Sequence, residues 1–349
     1  MTGVIRLEKK YTWREKILDK NKCKEAGGLP FVSVIISTYN RAQYIKITID
    51  SFLNQSYPSH LYEIIICDNN SSDNTKEVIE SCIKDKNEKR IRYLFEKRQG
   101  MHFARNYAAK KSCGDLLYFA DDDIIADRNL LIELVSVFED KRVGCASGKI
   151  LPKWECTPPD WVKKYCINSL LSLNDLGDST IIRRKDPGVW GCHEAVRRDV
   201  FFEVGGFHLD LVGNGPGIGD GETGMNDDIK NLGYYFAYVG KSVTYHMIPP
   251  GRMTQKYLNK RYKYNGNSHS YSEYRKKPFT KRELPKRIYY YLRTLILAEI
   301  KIVRQWRRGK MSLRFLLAEF YYYTARIRYE LHIVLNKKFR ALVEYSDWL

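Results

Sequence analysis

The sequence predicts an α/β fold built on a doubly wound, mostly parallel sheet, followed by a C-terminal helical extension. Three observations carry this. Between residues 31 and 123, short β-branched and aromatic runs alternate with stretches of helical length, the pattern of strand–helix–strand units. One such run, Leu116 to Ala120, delivers three consecutive carboxylates, Asp121, Asp122 and Asp123, and ligand sites of open α/β sheets lie at the carboxyl ends of strands. Charge is also partitioned. Residues 251–349 hold 24 Lys and Arg against 7 Asp and Glu, a net +17, so residues 1–250 contribute only +1 of the chain's +18.

In chain order, residues 1–30 are polar and mixed in charge, a flexible or helical lead-in closed by Gly27-Gly28-Leu29-Pro30. Residues 31–250 form the α/β domain. Phe31 to Ser37 is a strand, and Thr38-Tyr39-Asn40 opens a helix from about Arg41 to Asn54. Tyr62 to Cys67 is a second buried strand. It runs into Asp68-Asn69-Asn70-Ser71-Ser72-Asp73, a loop of turn and N-cap residues, before a helix to about Lys86. Ile91 to Phe95 is a strand and Met101 to Lys111 a helix; Gly114 begins the strand that ends in the carboxylates. Val143 to Leu151 is a further strand. Residues 152–187 lose periodicity, and long loops of this kind are often functional. Gly188 to Arg198 returns as a strand, Val204 to Phe207 is a tight turn, and residues 213–222 carry five glycines. Thr223 to Leu232 is helical and closes at Gly233, and Tyr235 to Val239 and Val243 to His246 are strands.

Three adjacent anions repel one another unless solvated or joined by a cation. The stretch is either an acidic turn opening the next element or a site for Mg²⁺ or Mn²⁺, hard ions that share their shell with phosphates. No G-x-G-x-x-G or P-loop spacing follows a strand, so a nucleotide would be held by side chains and metal. The eight cysteines are scattered without a C-x-x-C pair, which predicts reduced thiols and no zinc site. No secretory h-region and no membrane-spanning apolar run is present. The expectation is a cytoplasmic protein, peripheral at the inner face of a membrane.

Several segments, in order, resemble family 2 of the inverting glycosyltransferases, which have the GT-A nucleotide-diphospho-sugar transferase fold. They are VSVIISTYNR (32–41), EIIICDNNSSDNT (63–75), GMHFARNYA (100–108), GDLLYFADDD (114–123), GCHEAVRRDVFFEVGGF (191–207), GDGET (219–223), NLGYYFAYVGKSVTYH (231–246) and KYLNKRYKYNGNSHS (256–270). The resemblance implies transfer of a sugar from a nucleoside diphosphate sugar to an acceptor hydroxyl with inversion, dependent on Mn²⁺ or Mg²⁺. It places Thr38, Tyr39 and Asn40 in the base and ribose pocket and has Asp68 accept from the base, where its alternative is to cap the next helix. Gly100, Arg105 and Asn106 lie beside ribose and diphosphate; Asp121 and Asp122 contact the nucleotide sugar. Asp121 and Asp123 bind the metal, with His246 completing its shell. Glu222 is the general base. The acidic residue expected before it is Gly221, which leaves Asp220 as a rival; Asp227 and Asp228 read as a solvated helix face. Trp154 and Trp161, by stacking on sugar, and His193 are acceptor-side residues.

Residues 251–349 form a basic, aromatic-rich helical region. Within it, about Pro285 to Arg307 and Leu313 to Phe339 step apolar residues by three and four: Tyr289, Leu292, Ile296, Ile300 and Val303 in the first, Leu316, Phe320, Tyr323, Ile327 and Leu331 in the second. Tyr with Lys and Arg suits an interfacial helix, so 285–349 meets an anionic membrane or packs on the enzyme body; a nucleic acid partner is not expected. The acceptor is a glycan or a lipid-linked sugar. The competing functions are a sugar-1-phosphate nucleotidylyltransferase, which would need a glycine-rich phosphate loop where Ser37 to Tyr44 stands, and an inactive basic nucleotide-sugar-binding protein.

Overall fold

A computed structural model describes residues 28–85, 88–165, 170–209, 219–345 and 349. The lead-in before Gly28 and most of the glycine-rich stretch, residues 213–218, lie outside the described residues.

The strands are β1 Val32–Thr38, β2 Tyr62–Asp68, β3 Ile91–Phe95, β4 Leu116–Ala120, β5 Ile124–Ala126, β6 Val143–Trp154, β7 Thr180–Arg183, β8 His193–Arg197 and β9 Tyr235–Ile248. The helices are α1 Ala42–Leu53, α2 Thr75–Asp85, α3 Met101–Lys111, α4 Leu130–Val135, α5 Asp160–Tyr165, α6 Arg198–Glu203, α7 Gly221–Asn231, α8 Gln255–Lys276, α9 Leu284–Arg307, α10 Arg314–Leu335 and α11 Lys337–Glu344.

One sheet runs β3-β2-β1-β4-β8-β6-β9-β5, with β7 also on β9. β3, β2, β1 and β4 are parallel, as is the pair β6 and β9. β8 is antiparallel to both β4 and β6, and β5 and β7 are antiparallel to β9. The sheet is therefore mixed, with most of its paired residues in parallel ladders. The two strands expected at 235–239 and 243–246 are one, β9, which crosses a register irregularity opposite Gly148 and Lys149. The 188–198 strand shortens to β8 because the chain turns at 190–193, where the His193 amide donates to the Trp190 carbonyl, and because Arg198 starts α6.

Strand alternation splits the core into two layers. Val32, Val34 and Ile36 of β1 pack with Ile45, Ile49 and Phe52 of α1 on one face. Ile35 faces Ala104, Ala108 and Ala109 of α3 on the other, together with Phe201, Phe207, Met225 and Ile229. α8, which lies in the region expected to be helical but for which the apolar pattern set no bounds, packs along α10; Tyr271, Tyr274, Tyr329 and Ile333 form their own core. Cys67, Cys82, Cys145 and Cys192 are buried.

Candidate active site

The carboxyl edge collects the ends of β1, β4 and β9 around a cleft of about 340 Å³ lined by Ser37 to Tyr39, Arg41, Asn69, Gln99, Met101, Asp121 to Asp123 and Arg252, but not by Asn40. Thr38 is the last residue of β1 and pairs in register with Asp68. Tyr39 is exposed on the rim. Asn40 takes a left-handed backbone, φ 52°, and its side-chain oxygen accepts from the Ser72 amide at 2.8 Å, tying the start of α1 to the β2–α2 loop.

Asp68 is buried, and both of its oxygens are engaged. One accepts from the Ser71 amide and the other from the Tyr93 hydroxyl, each at 2.9 Å. It holds the turn ahead of α2, and the cleft wall at this point is its neighbour Asn69. Asn69 accepts from the Gly100 amide at 2.7 Å and donates to the carbonyl of Arg98. Gly100 needs φ 139°, which an L side chain rarely adopts, and this turn sets the entry to α3. Asn106 is turned away from the cleft; its amide exchanges hydrogen bonds with both backbone groups of Phe207.

Arg105 is fully buried and donates to Asp121 and to the Gly191 carbonyl, each at 2.7 Å. Asp122 lies 3.5 Å from Arg41. Burial, then the charge of Asp123, pushes its carboxyl up to about 7. Burial would also raise Asp123, but pairing with His246, Arg252 and Arg41 overcomes it and holds that carboxyl down at about 2. Nδ1 of the His246 ring lies 2.8 Å from the Leu171 carbonyl and donates to it, which leaves Nε2 facing Asp123 and Arg252. Nε2 is 3.3 Å from Asp123 Oδ1, which has no hydrogen-bond donor. Ligand atoms of Asp121, Asp123 and His246 lie within 4.8 Å of one another. Two carboxylates, one imidazole and an orphaned buried acceptor fit a hard divalent cation. Arg252, which sequence reasoning passed over, donates to His246 Nε2 at 2.6 Å and to Asp123 at 2.7 Å. Its only signal was position, six residues beyond the strand-end histidine.

Glu222 is half-buried in the first turn of α7, 3.3 Å from His102 on α3. Burial opposes its charge, yet His102 and Arg105 hold the carboxyl down at about 2. Its rivals are occupied. Asp220 lies 2.6 Å from His208 and accepts from Ser272 at 2.7 Å; Asp228 pairs with His208 and Asp227 with Lys276. Leu232, expected on the apolar side of α7, is exposed, unlike Met225 and Ile229.

Of the acceptor-side expectations, Trp154 and Trp161 are partly buried against Ile248 and Met253 beneath the loop that carries Arg252. His193 has no exposed surface; it sits between the Tyr118 hydroxyl and the Ser242 carbonyl, and burial pulls it down to about 4. The structure does not bring it to the cleft, because its place on β8 turns its ring into the core.

Residues 33–205 match the family model described as "Glycosyl transferase family 2". This stretch is a glycosyl transferase family 2 domain. Among curated relatives, the chain is 36% identical over 122 residues to "Glycosyltransferase AglE" of Haloferax volcanii, covering 35% of this chain and 40% of that protein. It is 36% identical over 97 residues to "GalNAc(5)-diNAcBac-PP-undecaprenol beta-1,3-glucosyltransferase" of Campylobacter jejuni, covering 27% of this chain and 30% of that one. The chain thus spans less than half the length of these relatives. The fold resembles the mannosyltransferase PcManGT from Pyrobaculum calidifontis, solved with GDP-Man and Mn²⁺, with TM-score 0.53, 18% identity and coverage of 92% and 82% of the two chains. It also resembles GalNAc-T7, solved with UDP, GalNAc and Mn²⁺, with TM-score 0.50, 18% identity and coverage of 71% and 51%. The family 2 domain therefore has the GT-A fold, and the described residues continue it with α8 to α11.

Proposed function

We propose that this protein is an inverting glycosyltransferase of glycan or polysaccharide biosynthesis, moving a sugar from a nucleoside diphosphate donor to a hydroxyl of a glycan or lipid-linked acceptor. The observation that carries this is the convergence of Asp121, Asp123 and His246, the first two lining the cleft, with Arg105 bonded to Asp121 and acting by charge on Glu222. The donor's base and ribose lie against Thr38, Tyr39 and Asn69. Asp121, Asp123 and His246 would hold Mn²⁺ or Mg²⁺, which supplies charge neutralisation to the departing diphosphate. Arg105 fixes Asp121, and Gly100 keeps the backbone clear of the phosphates. Glu222 takes the acceptor proton as the hydroxyl attacks the face opposite the leaving group.

The test is release of nucleoside diphosphate from UDP- and GDP-sugars with Mn²⁺ and a mixed acceptor pool. Glu222→Gln is expected to lose turnover by about 10²–10⁴ with donor affinity nearly kept. Undiminished turnover in that variant overturns the assignment.

The acceptor reading extends to α9. Leu284, Tyr291, Leu295 and Ile302 pack inward, while Tyr289, Leu292, Ile296 and Ile300 form a second apolar stripe that is exposed. Arg293, Lys301, Arg304 and Arg307 are exposed on the same helix. No helix among the described residues is long and apolar enough to cross a membrane. This face lies on an anionic bilayer, where each basic residue near the surface adds about 1 kcal/mol, screened by salt. Leu292→Ser with Ile296→Ser should stop co-sedimentation with phosphatidylglycerol vesicles while the melting temperature holds. Sedimentation equal to the unaltered protein counts against it.

A further inference from the structure

One atom suited to a divalent ion, His246 Nε2, is already held by a cation of the chain itself, which also binds the second oxygen of Asp123. Arg252 spans His246 Nε2 and Asp123, the same two side chains that with Asp121 form the candidate ligand set. An ion bound there would share His246 Nε2 with a guanidinium, which puts two positive groups on one lone pair. Arg252 must then move. It can: it sits on the short turn Pro250–Met253 after β9, and it lines the open cleft.

The charge of the cleft points the same way. Asp121, Asp122 and Asp123 face three guanidiniums, those of Arg41, Arg105 and Arg252. Guanidiniums thus already offset the acidic cluster without metal. A divalent ion alone adds two positive charges to a partly buried site that already holds three, which is unfavourable. A diphosphate brings the missing negative charge, and guanidinium recognises phosphate oxygens as readily as carboxylate.

We propose that Arg252 is an exchangeable countercation. Without donor it neutralises Asp123 and His246 in place of the ion. When a nucleoside diphosphate enters, Arg252 transfers to it and the ion takes the vacated atoms, so ion and diphosphate bind interdependently. This rests on the metal site assigned under Proposed function.

The experiment is titration of Mn²⁺ followed by the electron paramagnetic resonance of the free ion, on the full chain, alone and with UDP or GDP. The unaltered protein should bind Mn²⁺ at least about tenfold more weakly alone than with the nucleotide that enhances it. Arg252→Gln should bind Mn²⁺ alone about tenfold more tightly than the unaltered protein and lose most of the enhancement. Arg252→Lys, which keeps the charge, should stay weak without nucleotide. If Asp123→Asn binds Mn²⁺ as the unaltered protein does, the metal site itself is misplaced. If Asp123→Asn loses the ion but Arg252→Gln, folded by its thermal melt, binds Mn²⁺ alone no more tightly, the countercation fails and the metal site stands.

Discussion

Gly221 stands where the family's pattern has an acidic residue, and the structure supplies a reason. Its backbone is left-handed, φ 48°, and a Cβ there would collide with the His102 ring. The space beside Glu222 is taken by that histidine, which holds the carboxylate by a 3.3 Å contact. His102 is therefore a positioning residue, and its loss has a readable consequence. Removing it lets the Glu222 carboxyl rise from about 2 toward the ordinary carboxylate range. His102→Ala should move the acid limb of kcat/KM to higher pH and lower turnover, with donor binding unchanged. An unmoved limb would assign His102 to packing alone. Gly221→Asp should destabilise by about 1–3 kcal/mol, through strain at a backbone angle that suits glycine, rather than improve catalysis. Asp220→Asn should lower the melting temperature more than turnover, because that carboxylate bonds His208 and Ser272.

At the scale of elements, the helices of 284–335 show what pattern can and cannot tell. The stepped residues Tyr289, Leu292, Ile296 and Ile300 were legible as an apolar face, but in α9 they form the outer one. Periodicity finds a face without saying what it meets. Buried strands were legible because β1, β2 and β4 are mostly apolar and buried along their whole length. α8 was not, because its sequence is mostly Lys, Asn, Tyr and Ser, and it is held by tertiary contacts with α10. In the cleft, residue types at strand ends were visible, whereas partners distant in sequence were not: His102 with Glu222, Arg252 with Asp123. Part of the region's basicity also has an internal use. Arg287 donates to the fully buried Glu330, and Arg326 to the Tyr291 hydroxyl at 2.9 Å. Glu330→Ala would take away one of the two carboxylates that Arg287 and Arg326 share, leaving them Glu273 alone, and should cost about 1.5–3 kcal/mol, read as a lower melting temperature. A change under 1 kcal/mol would mean that apolar packing alone joins α9 and α10.

The whole molecule's response to pH turns on a carboxyl that the proposed chemistry does not use. Glu194 on β8 is fully enclosed; one oxygen has no hydrogen-bond partner and the other lies 3.6 Å from Cys145 Sγ. Burial, reinforced by the charge of Glu222 and only partly offset by Arg105, pushes it up to about 8. An ordinary glutamate in the unfolded chain titrates near 4.5. Between those values the folded protein holds a proton that the unfolded chain has lost. Stability from this group is fully present below about 4.5 and falls as pH rises toward 8, by about 1.4 kcal/mol per unit. His193, held down at about 4, acts in the opposite sense between there and 6.5, since only the unfolded chain binds its proton in that range. Asp122, pushed up to about 7, acts in the same sense as Glu194. The profile of the unaltered protein therefore blends several groups, and a difference between variants isolates one. Glu194→Gln fixes the neutral form. Its stability should match the unaltered protein near pH 5 and exceed it increasingly up to pH 8, while the contribution of His193 cancels in the comparison. Denaturant melts at a series of pH values test this, and a constant difference from pH 5 to 8 would show that Glu194 does not carry the buried proton.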